Sequence, residues 1–142
     1  MRCMMEENLI LDKLVQFGLT RQEANIYLCL YQNGELTGYE VAKMTGISRS
    51  NVYGGLSDLT DKGAAFLVQG SSNRYVAASI EEFCDHKVKD LQNARTYLCE
   101  HIPEVKKSST GYITVEGYTN MRSKMSFMLE HTGRRVYIAA KA

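Results

Sequence analysis

Residues 37–63 read TGYEVAKMTGISRSNVYGGLSDLTDKG, and they decide the fold. Thr37 and Glu40 form a capping box, in which the threonine hydroxyl caps the Glu40 amide and the carboxylate reaches back. The helix they open turns Val41, Ala42 and Met44 inward and ends at Gly46. Ile47 fills the turn and Ser48 caps a second helix. Val52, Leu56 and Leu59 recur at helical spacing along that helix, and Gly63 stops it. A short helix, a tight glycine turn and a longer helix make a helix-turn-helix. One feature resists this reading. Gly54 and Gly55 sit mid-helix, where each costs about 0.8–1 kcal/mol relative to alanine. The pair is either a soft spot or a place where the backbone comes close to a neighbouring helix or a partner.

Working outward, Ala64–Gln69 (AAFLVQ) reads as a short apolar strand, Gly70–Asn73 (GSSN) as a four-residue turn, and Arg74–Ala78 (RYVAA) as a returning strand. A hairpin directly after a helix-turn-helix makes a winged helix. On the N-terminal side, Thr20 and Glu23 (TRQE) form another capping box. Its helix buries Ala24, Tyr27, Leu28 and either Leu30 or Tyr31, and stops at Gly34. An earlier amphipathic helix carries Leu9, Ile10, Leu14 and Phe17 and ends at Gly18.

Ser79 and Glu82 (SIEE) predict a third box and the start of the longest helix. Ile80, Cys84, Val88, Leu91, Ala94 or Arg95, Leu98 and Ile102 recur three or four residues apart, and Pro103, the only proline, ends the run. A winged helix is too small to cover so long a stripe, so the reading is a two-stranded coiled coil between protomers, with Ile80, Cys84, Val88, Leu91, Leu98 and Ile102 as the dimerisation face. Lys106–Gly111 (KKSSTG) reads as a linker. A strand (YITVEG), a helix over 118–132 with Met121, Met125, Phe127, Met128 and Leu129, and a strand (RRVYIAA) follow as a β-α-β unit. Alone it cannot bury both sheet faces, so it either pairs with a partner or opens an incomplete C-terminal domain. The expected class is α+β, with a winged helix at 1–79, a dimerisation helix and linker at 80–107, and an effector-like fragment at 108–142.

The 142 residues, 44% hydrophobic and 23% charged, suit a folded protein with no membrane span. The N-terminus lacks the long apolar core of a signal peptide, so the cytoplasm is the expected location. Cys3, Cys29, Cys84 and Cys99 form no C-x-x-C pair, and His86, His101 and His131 do not flank them at zinc-finger spacing. Reduced thiols are expected, with Cys29 in the core and Cys84 and Cys99 on the long helix. A thiol sensor would need low-pKa, exposed cysteines. The formal net charge is +1, and residues 1–79 carry seven bases and eight acids. Global charge therefore points to no nucleic acid, and any such reading rests on local arrangement.

The run from Phe17 to Ala65, followed by Asn73–Ala77 (NRYVA), resembles the DNA-binding domain of the TrmB family of sugar-responsive transcription regulators. The resemblance is carried by Gly18, Leu19, Glu23, Ala24, Tyr27, Gly34, Val41, Ala42, Gly46, Arg49, Ser50, Val52, Tyr53, Leu56, Leu59, Lys62 and Gly63. It is specific over residues 9–79, extends over the long helix and weakens over 111–142, which resembles the opening of the family's phospholipase-D-like effector domain. Most of that domain is missing, so sugar binding is not carried over, and an effector is expected only with a full C-terminal domain. The double glycine also departs from the larger residues that the family more often has there.

The resemblance implies a regulator that binds double-stranded DNA, and the coiled-coil reading of residues 80–102 makes it a homodimer on paired half-sites. The recognition helix spans about 49–62 and the wing about 66–78. Side chains near the N-terminus of a groove-bound helix reach base edges. Ser48, Arg49, Ser50, Asn51 and Tyr53 occupy that position. Arginine suits guanine, asparagine suits adenine, and hydroxyls and the helix N-terminus suit phosphate. Thr37 at the preceding helix start, and Asn73 and Arg74 at the wing, complete the DNA-binding set. Several have structural readings as well: Ser48 as a cap, Tyr53 as partly core, Arg74 as a partner for Asp58 or Asp61. A protein-interaction winged helix and a thiol- or ligand-responsive sensor are the alternatives. An enzyme is not expected. A phospholipase-D-type site needs His-x-Lys, and none of the three histidines has it. P-loop and G-x-G-x-x-G motifs are missing too, and no cofactor is expected.

Overall fold

In the computed structural model, residues 4–104 and 112–139 are described. The chain divides into two units, Met1–Pro103 and Glu104–Ala142. The first contains α1 (Met4–Gln16), α2 (Arg21–Asn33), β1 (Leu36–Thr37), α3 (Gly38–Thr45), α4 (Arg49–Asp61), β2 (Ala65–Val68), β3 (Arg74–Ala77) and α5 (Ile80–His101). The second contains α6 (Tyr118–His131).

The helix starts form as the capping residues dictate. Thr20 and Thr37 each close a full capping box, with Glu23 and Glu40. Ser79 accepts the Glu82 amide at 3.1 Å, but Glu82 makes no return bond, so the third box is half formed. Between α3 and α4, Gly46 takes the left-handed conformation at φ 74° that ends α3. The Thr45 hydroxyl donates to the Val41 carbonyl and accepts the Ile47 amide, which fixes the corner.

The core is one cluster, and α2 is its centre. Ala24, Ile26, Tyr27, Leu28 and Leu30 are all buried. α2 packs against α1, α3, α4 and β3, so it has apolar neighbours on several sides. That explains Ile26, which a one-sided helical stripe leaves out. Tyr31 is exposed instead. In α1 the inward residues are Leu11 and Leu14, while Leu9 points to solvent. Val41 anchors α3, Ala42 is half-buried, and Met44 is exposed.

Three antiparallel strands form the wing, in the order β1-β3-β2. β1 is an addition to the expected hairpin: Leu36 pairs with Tyr75 and Thr37 with Arg74. In the hairpin Val68 pairs with Arg74, so the loop runs over five residues, 69–73, and takes in Gln69.

α5 is anchored by a residue off the expected stripe. Phe83 is buried, with its ring 6.0 Å from Tyr27 and 6.4 Å from Phe17. The Tyr27 hydroxyl donates to the Ala78 carbonyl at 2.9 Å, tying α2 to the residue just before α5. Burial, with Tyr31 and Cys84 nearby, pushes this phenol up to about 12. Cys84 packs partly on the same core, whereas Val88, Leu91, Leu98 and Ile102 stay exposed.

In the second unit α6 has no buried residue. The described parts of the expected flanking strands, 112–116 and 135–139, form no strand. A strand exists only where a neighbour takes its backbone hydrogen bonds, and these segments have none in the described residues. The β-α-β expectation is therefore corrected to a single helix. Cys3 and the Lys106–Gly111 linker lie outside the described residues.

The double glycine resolves into two different positions. A Cβ on residue 55 would lie 2.6 Å from Ile26 Cδ1, so Gly55 makes room on α4 for a side chain of α2. A Cβ on residue 54 would meet nothing within 4 Å. Gly54→Ala should raise stability by about 0.5–1 kcal/mol. Gly55→Ala gains the same propensity but overpacks a buried isoleucine, at a cost of about 1–3 kcal/mol. Thermal unfolding of the two variants should rank Gly54→Ala above wild type and Gly55→Ala below Gly54→Ala; the reverse order would remove the packing account.

The end of α4 is held by an ion pair whose carboxylate is buried and whose ammonium reaches water. Lys62 Nζ lies 2.6 Å from Glu23 Oε2 and also donates to the Gly18 carbonyl at 3.2 Å. Burial pushes the Glu23 carboxyl up, but the Lys62 hydrogen bond, the Thr20 amide and the Lys62 charge outweigh it and leave the group below its ordinary 4.5. A carboxylate depressed in the folded state stabilises the fold above its unfolded value, and that contribution is lost as pH falls through the folded one. Glu23→Gln should cost about 2–3 kcal/mol near neutrality, less than a fully buried pair because Lys62 reaches water. The gap in melting temperature from wild type should close as pH drops below about 4.5, the ordinary carboxylate value; a gap independent of pH would refute the assignment.

Candidate nucleic-acid interface

The N-terminal turn of α4 is polar and exposed on one side and fixed to the core on the other. Val52, Leu56 and Leu59 are fully buried. Ser48, Arg49, Ser50 and Asn51 are exposed. Ser48 Oγ accepts the Asn51 amide at 3.4 Å and lies 3.4 Å from Ser50 Oγ. The serine therefore caps the helix and sits beside a second hydroxyl at the positive end of the helix dipole. The helix runs to Asp61, with Lys62 as its C-cap, close to the expected 49–62.

The start of α3 interlocks with the start of α4. The Arg49 guanidinium carbon lies 4.5 Å from the centre of the Tyr39 ring. Tyr53, half-exposed, lays its ring on Gly38: a Cβ there would be 2.6 Å from Tyr53 Cε1. Thus Gly38 makes room for Tyr53, and Tyr39 supports Arg49.

The other expected residues divide. Asn73 is exposed at the end of the wing loop. Thr37 is occupied: its hydroxyl donates to Glu40 Oε2 at 2.9 Å and accepts the Glu40 amide at 3.2 Å. The Thr37 amide, which donates to the same Oε2 at 2.7 Å, then the Thr37 hydroxyl and the Arg74 charge hold the Glu40 carboxyl below its ordinary value. Arg74 pairs with neither Asp58 nor Asp61. It lies 3.2 Å from Glu35 Oε1 and 3.4 Å from Glu40 Oε2, and donates to the Glu35 carbonyl at 3.1 Å. The reason is register: β3 places Arg74 opposite Thr37, at the start of the helix that carries Glu40.

Cation pairing separates these bases further. Among residues 4–79, Arg21 pairs with Asp12, Lys62 with Glu23, and Arg74 with Glu35 and Glu40. Lys13, Lys43 and Arg49 take part in none of the ion pairs among the described residues. Lys43 and Arg49 line one shallow depression with Tyr39 and Ser48.

Of the free thiols among the described residues, Cys99 is exposed, while Cys29 and Cys84 are half-buried. Burial raises the Cys29 thiol, and burial with the Asp85 charge raises that of Cys84, which disfavours the reactive thiolate. Among the described residues no group of three His, Cys, Asp or Glu side chains could hold a metal, and no helix is long and apolar enough to cross a membrane.

A winged helix with an exposed polar turn on its second helix is the architecture of a nucleic-acid-binding module. Residues 14–81 match the family described as "Sugar-specific transcriptional regulator TrmB". The chain is 32% identical over 122 residues to the HTH-type sugar sensing transcriptional regulator TrmBL1 of Pyrococcus furiosus, covering 82% of this chain and 36% of that protein. It is 35% identical over 103 residues to an uncharacterized protein, YrhO, of Bacillus subtilis, covering 72% of this chain and 34% of the relative. The fold matches the structure of TrmBL2, described as an archaeal chromatin protein with a novel mode of DNA binding, with a TM-score of 0.59 and 24% identity over 87% of this chain and 54% of that one. Residues 14–81, the winged-helix part, are a domain of the TrmB family. The chain spans about a third of the length of the two relatives it matches in sequence.

Proposed function

We propose that the chain is a sequence-specific, DNA-binding transcriptional regulator of the TrmB type, acting in the cytoplasm as a homodimer and without a catalytic step. The observation that carries this reading is the exposed run Ser48–Asn51 on a helix whose other face is locked into the core. In the major groove, Arg49 would make a bidentate contact to guanine and Asn51 one to adenine, while Ser48, Ser50 and the helix N-terminus suit phosphate. Asn73 would meet the backbone from the wing. Arg74 and Thr37 would act indirectly, by holding β3, β1 and the start of α3 together. A small-molecule effector would enter through a complete C-terminal domain.

The electrostatics support a dimer. With so few uncommitted cations around the site, one protomer neutralises few phosphates, and affinity from counterion release scales with that number. Two half-sites double it. The exposed side chains of Val88, Leu91, Leu98 and Ile102 supply a face for a coiled coil. Cys84 contributes less to that face, because it is partly used within its own protomer.

Binding of the chain to DNA from upstream of its own operon, followed by anisotropy at two salt concentrations, tests the DNA reading. Arg49→Ala should lose about 1–3 kcal/mol of selectivity with little change in salt slope. Absence of selective binding by the wild type would favour a protein-interaction module instead.

The dimer is tested separately by sedimentation. Wild type should run as a dimer at tens of micromolar, and Leu91→Glu with Leu98→Glu should return a folded monomer. A monomeric wild type would remove the coiled-coil reading.

A further inference from the structure

The contact between α3 and α4 deepens the DNA-binding reading and rests on it. Arg49 is the first residue of α4, and its long side chain has several rotatable bonds. Free in solvent, such a side chain must be ordered when it docks, at a cost in affinity. Here the guanidinium already lies over a ring, 4.5 Å from the Tyr39 centroid. Stacking covers one face of the planar group and leaves its edge N–H donors open. Those edge donors are the ones a bidentate contact to guanine uses.

Tyr39 itself is held at a defined place. It is the second residue of α3, one position after Gly38, on which the Tyr53 ring rests. The first turn of α3 is fixed from the other side by the Thr37–Glu40 capping box. Both rings come from exposed positions, Tyr39 at 51% and Tyr53 at 50%, so neither is needed to fill the core. An exposed aromatic ring carrying a cation, beside Lys43 and Ser48 in the same depression, is better explained by presentation of that cation than by packing.

We propose that Tyr39 is a positioning residue for DNA recognition: its ring presets the Arg49 guanidinium so that the edge meets a base in the groove. The side chain acts through Arg49 and not by its own contact with DNA. Its hydroxyl is therefore dispensable and its ring is not.

The test uses the full chain and a library of DNA duplexes with randomised cores, from which wild type selects its preferred site. Binding of that site and of single-base variants is then measured for Tyr39→Phe, Tyr39→Leu, Arg49→Ala and the Tyr39→Leu/Arg49→Ala pair. Tyr39→Phe should bind as wild type. Tyr39→Leu should lose about two- to fivefold in affinity, the worth of an exposed cation–π contact, with the loss concentrated at one base position per half-site. In the Arg49→Ala background, Tyr39→Leu should change nothing further. Loss of fold is checked by thermal unfolding, which Tyr39→Leu should leave near wild type.

The outcomes separate cleanly. If wild type selects no site, the DNA-binding reading fails and the assignment of Tyr39 fails with it. If wild type selects a site and Arg49→Ala loses selectivity but Tyr39→Leu does not, DNA binding stands and the Tyr39 proposal is overturned. It is overturned as well if Tyr39→Leu weakens binding equally with and without Arg49, or if Tyr39→Phe loses as much as Tyr39→Leu, because the residue would then act on DNA directly.

Discussion

The Glu23 carboxylate ties three parts of the winged helix to one another. It closes the capping box that starts α2, accepting the Thr20 amide at 2.8 Å. It also takes the Lys62 ammonium at 2.6 Å, and that same ammonium reaches the Gly18 carbonyl at the corner between α1 and α2. The C-terminal end of α4 is thereby bound to the start of α2 across 39 residues of sequence. A pair with a buried carboxylate is weak evidence for added stability, since desolvation of that group offsets much of the attraction. Its value is geometric. It admits one docking of α4 against α2, because any shift would strand a nearly buried carboxylate.

The opposite end of α4 is fixed by different chemistry. Gly38 and Tyr39 interlock with Tyr53 and Arg49, and Gly55 lets Ile26 press against the helix midway. Between these points Val52, Leu56 and Leu59 form a fully buried spine. The helix is thus constrained at its start, middle and end, and the polar turn from Ser48 to Asn51 projects from a rigid support. Recognition of base edges needs placement to within a fraction of an ångström, and sites on rigid elements achieve that better than sites on loops.

Much of this was legible in the sequence because it is local. Capping boxes, the Gly46 turn and the spacing of Val52, Leu56 and Leu59 lie within a few residues of one another, and each carries its own physical signature. What was missed is non-local or too short to have a period. β1 has two residues, and no alternation can be read from two. Ile26 is buried because α2 is surrounded, which depends on the elements around it. Phe83 lies off the heptad stripe and owes its burial to Phe17 and Tyr27, distant in sequence. The strands expected beside α6 have suitable composition, but strand formation is a property of pairs.

The same division runs through the candidate site. Ser48, Arg49, Ser50 and Asn51 are legible as an exposed N-terminal turn, since helix position alone nearly fixes their exposure. Thr37 and Arg74 have the right chemistry for DNA, yet intramolecular partners occupy them. For Arg74 the sequence offered acids on α4, whereas strand register brought those at 35 and 40. Tyr39 carries no motif, and its contact with Arg49 is visible only once the first turns of α3 and α4 are brought together. Basic residues on a near-neutral domain are consequently poor guides when merely counted. Three of the six at positions 4–79 are paired with acids, and the two at the α3–α4 depression, Lys43 and Arg49, are left by this pairing rather than by any local excess of charge. A domain that commits its cations in this way gains little from non-specific attraction to phosphate. Its discrimination would then rest on a few well-placed side chains, which makes the geometry at Arg49 more consequential than the net charge.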